Sequence, residues 1–157
     1  MDPIESTIER WHQHLRGELP GGLDELLRDD VVFLSPIVFS PQKGKELTKL
    51  YLQAAGATLG GDPEPEHPSA REGEPVPAVG GSFRYLAEVM SGHRAVLEFE
   101  TQLDGKYLNG VDIITCDDDG RIVEFKVMIR PLQAINAVHA AMKSMLEQMQ
   151  GSTSGSL

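Results

Sequence analysis

Residues 106–130, KYLNGVDIITCDDDGRIVEFKVMIR, hold two extended runs on either side of Asp117-Asp118-Asp119-Gly120. In the first run Gly110, Asp112, Ile114 and Cys116 fall on one face of a strand, because side chains alternate across a pleated backbone. In the second, Phe125, Val127 and Ile129 alternate with more polar neighbours. The pattern predicts strands over 106–116 and 121–130 joined by a tight turn. Upstream, Asp104-Gly105 is a hairpin signal. Before it, Ala95, Leu97, Phe99, Thr101 and Leu103 alternate over 94–103, and Phe83, Tyr85, Ala87 and Val89 over 83–90.

Towards the N-terminus the period changes. Ile4, Ile8, Trp11 and Leu15 recur at helical spacing and predict an amphipathic helix over 3–17, with Pro3 in its first turn. A short helix over 22–28 follows, with Leu23, Leu26 and Leu27 inward, then a buried strand over 31–34 that Ser35-Pro36 breaks. Leu47, Leu50, Tyr51 and Ala54 mark a third helix over 45–56. Pro131 opens a last one over 132–149, with Leu132, Ile135, Val138, Met142, Met145 and Met149 as its stripe. Helices followed by an antiparallel sheet of about four strands argue for an α+β fold. The expected form is a cone-shaped curved antiparallel sheet, packed by the N-terminal helices around an apolar pocket. Residues 1–150 read as one domain. The segment 56–81 holds five of the ten prolines with Glu64, Glu66, Glu72 and Glu74, and reads as a flexible acidic loop insertion. Residues 151–157 read as an appended linker.

Composition removes several function classes. The formal net charge is −10, which repels phosphate backbones and anionic bilayers, so neither nucleic acid nor a membrane is an expected partner. Cys116 is the single cysteine, which excludes an intrachain disulfide and a cysteine-based zinc site. The start of the sequence lacks the pattern of a signal peptide, and a cytoplasmic setting is expected. No P-loop, Gly-rich dinucleotide motif, nucleophile elbow or calcium-loop spacing is present, so no cofactor and no metal are expected. His12, His14, His67 and His139 do not combine into a ligand set, and helix-surface histidines such as His12 and His14 are more often idle, although His14 lies within reach of a pocket mouth.

Asp112 is the main candidate. An acid between Val111 and Ile113 is costly unless it faces solvent or a functional cavity. Lining a pocket, it would have its pKa raised by desolvation and would serve as general acid, general base or neutral donor. The plain alternative is a structural carboxylate bonded to Trp11 or to backbone. Trp11, Ser35, Tyr51, Phe99, Asn109, Phe125 and Val127 are the expected ligand-binding residues around it. Ser35 has a simpler role open to it, satisfying the strand end before Pro36, and Asn109 in Asn109-Gly110 reads equally as a bulge beside the pocket or as a twist device.

The run WHQHLRGELPGGLDELLRDDVVFLSP, Trp11 to Pro36, resembles the first helices and first strand of bacterial ketosteroid isomerases. The run NGVDIITCDDDGRIVEFKVMIR resembles the last two strands of the same family, with Asp112 eight positions before the turn glycine Gly120. The likeness covers most of the chain outside 56–81 and the last helix, and implies a nuclear transport factor 2-like, SnoaL-like domain. Those isomerases use a tyrosine donor on the first helix, an aspartate base before the proline and a protonated aspartic acid beside the tyrosine. These positions fall on Trp11, Ser35 and Asp112, of which only Asp112 keeps its chemistry. A serine at its free pKa cannot serve as the base, so ketosteroid isomerase activity is not expected. The chain looks closest to bacterial members of the superfamily with no assigned reaction. The resulting expectation is a pocket for a small hydrophobic molecule. Chemistry there would be isomerisation, cyclisation, dehydration or hydration through one buried aspartate, and the alternative is a non-catalytic binding or interaction domain. A homodimer is expected, through the mixed sheet face carrying Leu86, Val96, Lys126 and Met128 among Glu88, Glu98, Glu100 and Glu124, or through the methionine-rich last helix.

Overall fold

A computed structural model of the chain describes residues 1–59 and 82–154, with side chains to residue 149. The flexible-loop reading of residues 60–81 lies outside the described residues, as do residues 155–157. The elements in order are α1 (Pro3–Leu15), α2 (Leu23–Leu26), β1 (Leu27–Leu34), β2 (Gln42–Lys43), α3 (Lys45–Leu59), β3 (Arg84–Ser91), β4 (Arg94–Leu103), β5 (Lys106–Cys116), β6 (Ile122–Arg130) and α4 (Leu132–Ser154). The fold is α+β, a curved, mostly antiparallel sheet with helices packed on it.

The sheet has six strands in the order β2-β1-β6-β5-β4-β3. The expected strand over 31–34 thus joins the expected antiparallel sheet of about four strands, and β2 is added to them. β1 pairs with β6 in parallel, Phe33 beside Phe125, and β2 adds a short antiparallel edge at Lys43 and Gln42. Leu27 belongs to the strand and not to the second helix, because it lies beside Ile122 and is fully buried there. α3 runs through Leu59, so residues 56–59 are helical and not loop. α4 continues to Ser154, into the segment read as a linker.

A bulge in β3 matters more. Tyr85 pairs with Phe99, but Ala87 pairs with Glu98 and Glu88 with Leu97, so the register shifts at Leu86. An extra residue on one strand reverses the facing of everything after it. Glu88 therefore lies on the inner face in a row with Leu97, Asp112 and Val127. Its expected place on the outer face is corrected accordingly.

α1 lies across the sheet and is fastened by two of the hairpin turns, Gly92 between β3 and β4 and Gly120 between β5 and β6. Asp2 Oδ2 accepts the Gly92 N–H at 2.8 Å, and the Gly92 carbonyl accepts the Ile4 N–H at 3.1 Å. At the other hairpin, the Gly120 carbonyl accepts from Thr7 Oγ1 at 2.8 Å and Arg10 Nη2 at 2.6 Å. Gly120 has φ +80°, a backbone conformation that favours glycine. These ties set the roll of α1, burying Ile4, Ile8 and Trp11.

Candidate functional site

Trp11 points from α1 to the inner face of the sheet, where its indole N–H donates to the Tyr85 hydroxyl at 2.9 Å. That hydroxyl donates in turn to Asp112 Oδ2 at 2.7 Å. The Asp112 side chain is thus held by a strand tyrosine, with Trp11 one step behind, rather than by Trp11 or backbone. All three residues are buried. Burial pushes the Asp112 carboxyl up to about 7, against the opposing pull of the Tyr85 bond. Burial and the Asp112 charge raise the Tyr85 phenol well above its ordinary value. The phenol therefore keeps its proton and serves as a fixed donor, while the carboxyl titrates near neutrality.

Asp112 lines a hollow of about 250 Å³ with Trp11 and His14 of α1, Leu52, Gln53 and Leu59 of α3, and Phe83, Phe99, Phe125 and Val127. The rings of Trp11, Phe83, Tyr85, Phe99 and Phe125 form part of the wall. Trp11 and Phe125 have centroids 5.0 Å apart, and Phe83 stacks on Phe99 at 5.0 Å. Low polarity on this scale is what raises the carboxyl. Burial also lowers the pKa of His14.

A second hollow, about 310 Å³, lies on the other side of Val127, Ala55 and Leu59, which line both. Phe33, Ser35, Tyr51 and Ile129 line it, together with Val138 and Met142 of α4. The residues expected to share one cavity are therefore divided between two hollows. The structure brings Trp11, Phe99, Asp112, Phe125 and Val127 to the first. Tyr51 stands in the second, stacked on Phe33 at 5.5 Å. Ser35 stands there too, its Oγ accepting the Ile37 and Val38 N–H groups at 3.0 and 3.3 Å. Asn109 lines neither hollow. It faces outward in the row of Glu100 and Arg130, donating to Glu98 Oε2 at 3.1 Å and the Phe99 carbonyl at 2.9 Å. Its pairing is regular, so no bulge turns it towards the pocket.

The residue that sequence reading missed is Tyr85. Alternation placed it inward, but as one more apolar position, and nothing local reveals where a phenol hydroxyl ends. The available signal was the shared inner face of Tyr85 and Asp112. His12 was also underread: its Nε2 pairs with Glu88, a partner the bulge supplies, and its ring meets the Tyr85 ring edge-on at 5.5 Å. Among the described residues no group of three or more potential ligands could hold a metal, and no helix is long and apolar enough to cross a membrane.

The Tyr85 bond makes a direct expectation. Tyr85→Phe leaves the Trp11 N–H and Asp112 Oδ2 without their partner. We expect a loss of about 1–3 kcal/mol by denaturant unfolding and a further rise in the pKa of Asp112, followed by carboxyl infrared or NMR titration.

No family model matches the chain, and no curated protein matches it. Solved structures do. The chain is similar to a steroid delta-isomerase from Pseudomonas aeruginosa, with 28% identity over 96% of both chains and a TM-score of 0.78. It is also similar to an uncharacterised bacterial protein with a cystatin-like fold from Silicibacter pomeroyi, with 25% identity over 88% of this chain and 83% of that one and a TM-score of 0.68. An NTF2-like protein of unknown function from Mesorhizobium loti shares the fold, at 17% identity over 82% of this chain and 92% of that one, with a TM-score of 0.59. A curved sheet with helices on its concave side, matched over nearly the whole length of an isomerase, makes the chain a member of the nuclear transport factor 2-like superfamily with the ketosteroid isomerase-like fold.

Proposed function

We propose that this chain binds a compact, largely apolar molecule in the hollow at Asp112, and that Asp112 moves a proton on it without a cofactor. The observation that carries the reading is the carboxyl itself: buried, poised near neutrality, with one oxygen held by Tyr85 in a hollow lined by aromatic and aliphatic side chains. Groups tuned this way suit general acid or base work at physiological pH. Isomerisation, cyclisation, dehydration and hydration all fit one such group. The likeness to a steroid delta-isomerase supports a proton shift beside a carbonyl. It does not extend to that enzyme's substrate, because the hollow is below the roughly 300 Å³ at which drug-sized sites begin, and Ser35 is engaged with backbone in the other hollow. Ligand discovery by native mass spectrometry, followed by Asp112→Asn, tests the reading. A loss of about 10²-fold or more in rate with affinity kept supports it. An unchanged rate would remove Asp112 from the chemistry, and a ligand bound without turnover by the wild type would leave a binding protein.

We also infer a homodimer formed through the outer sheet face, and a cytoplasmic setting in which the buried thiol of Cys116 stays reduced. Val89, Val96 and Met128 are 67%, 36% and 50% exposed and sit in adjacent rows of that face. The last helix offers less support, because Val138 is buried and Met142 packs on the chain's own core. Met128→Glu is expected to convert a dimer into a species at 17.2 kDa in sedimentation at micromolar concentration. A monomer before substitution refutes the pairing.

A further inference from the structure

Among the described residues, two ionisable side chains besides Tyr85 line the hollow, and they come from different walls: Asp112 from β5 and His14 from α1. His14 stands one turn beyond Trp11, its ring centroid 5.6 Å from the Trp11 ring and tilted against it. Among the described residues its side chain has no hydrogen-bond or ion-pair partner, unlike His12, which is held by Glu88, and His93, which meets Asp118 at 2.6 Å. A partly buried imidazole facing a ligand-sized space, with nothing among the described residues to satisfy it, is placed to meet a ligand atom.

We propose that His14 is a second catalytic residue, the base that takes a proton from carbon in a compact apolar ketone or aldehyde whose carbonyl oxygen is held by Asp112. The inference rests on the proposed role of Asp112. His14 removes the proton from the carbon next to the carbonyl, and the C–H electron pair becomes the C=C bond of an enol. The carbonyl π pair takes the proton of the Asp112 carboxyl. An imidazolium and a carboxylate remain. Return of the imidazolium proton to carbon, and of the enol O–H proton to Asp112, regenerates both groups with no net change in electrons.

The electrostatics agree with this division. Burial lowers the pKa of His14 and raises that of Asp112, so near neutrality the imidazole is free to accept and the carboxyl retains protons to give. Environments that push two groups in opposite directions divide acid from base. The other ionisable groups nearby are Tyr85 on β3 and the His12–Glu88 pair between α1 and β3. α3 contributes Leu52, Gln53, Ala55, Gly56 and Leu59 to the hollow, and no charge.

The test uses 2-tetralone, a ketone with exchangeable α-hydrogens, in heavy water, with exchange followed by NMR. Binding is followed separately through the fluorescence of 2-naphthol, which resembles the enol. The wild type is expected to accelerate exchange, with a rate that rises as His14 loses its proton, below 6.5, and falls as Asp112 loses its own, at about 7. His14→Gln should bind 2-naphthol about as tightly, lose exchange by about 10²-fold or more and lose the rising limb. His14→Phe serves as the second variant should the first fail to fold. Wild-type exchange in both variants, with Asp112→Asn inactive, overturns the role of His14 and leaves that of Asp112 standing. Binding of 2-naphthol by the wild type without any exchange overturns both.

Discussion

Asp112→Asn is expected to make the protein more stable than the wild type at pH 8, while the two converge near pH 4. The folded carboxyl titrates at about 7, above its ordinary 3.8. Between those values the unfolded chain releases a proton that the native state keeps, so native stability falls as pH rises and stays low above about 7. A difference of about three units corresponds to roughly 4 kcal/mol. The amide carries no charge to desolvate, and its oxygen still accepts from the Tyr85 hydroxyl. Urea unfolding of both proteins at pH 5 and pH 8 measures the effect. Equal stability at pH 8 would show that Asp112 ionises there without penalty, contrary to its burial. A stabilising substitution at the proposed acid is the signature of a site that trades stability for chemistry.

Gly110→Ala is expected to act in the opposite direction. A Cβ at residue 110 would fall 2.5 Å from Phe99 Cζ and 2.7 Å from the Met128 carbonyl oxygen. The ring has a way out, but the carbonyl belongs to the backbone of the neighbouring strand. Overpacking of this kind costs about 1–3 kcal/mol, more where backbone must move. Phe99 also walls the hollow, so a displaced ring should weaken binding of 2-naphthol as well. Denaturation and fluorescence titration of the one variant read both effects. An unchanged midpoint would show that β5 and β6 can separate at no cost.

The strands over 94–103 and 106–116 were legible to the residue, because Asp104-Gly105 and the Asp117–Gly120 turn bracket clean alternations. Asp112 was legible for the same reason: an acid amid a strand's inward positions has few inexpensive places to be. The bulge at Leu86 was not, since no Gly or Pro marks it, and with it went the true facing of Glu88 and the His12 pair. The division into two hollows depends on how far Val127, Ala55 and Leu59 reach towards one another. That is a matter of side-chain packing between β6 and α3, which strand and helix periods do not encode. Parallel pairing of β1 was hidden because its partner lies at the far end of the chain.

That last pairing bears on how the chain is made. β3 to β6 are linked by hairpins and find their neighbours locally, whereas β1 waits for β6, with Phe33 reaching Phe125 across more than half of the sequence. Contacts so distant close late, after loop entropy has been overcome. During synthesis, α1, α2, β1 and α3 leave the ribosome with their apolar faces uncovered and an unpaired strand edge exposed. The meander must be finished before they have anything to pack on. The β1–β6 seam is therefore where a nascent chain is most open to chaperone capture, and where a slowed ribosome would do most harm.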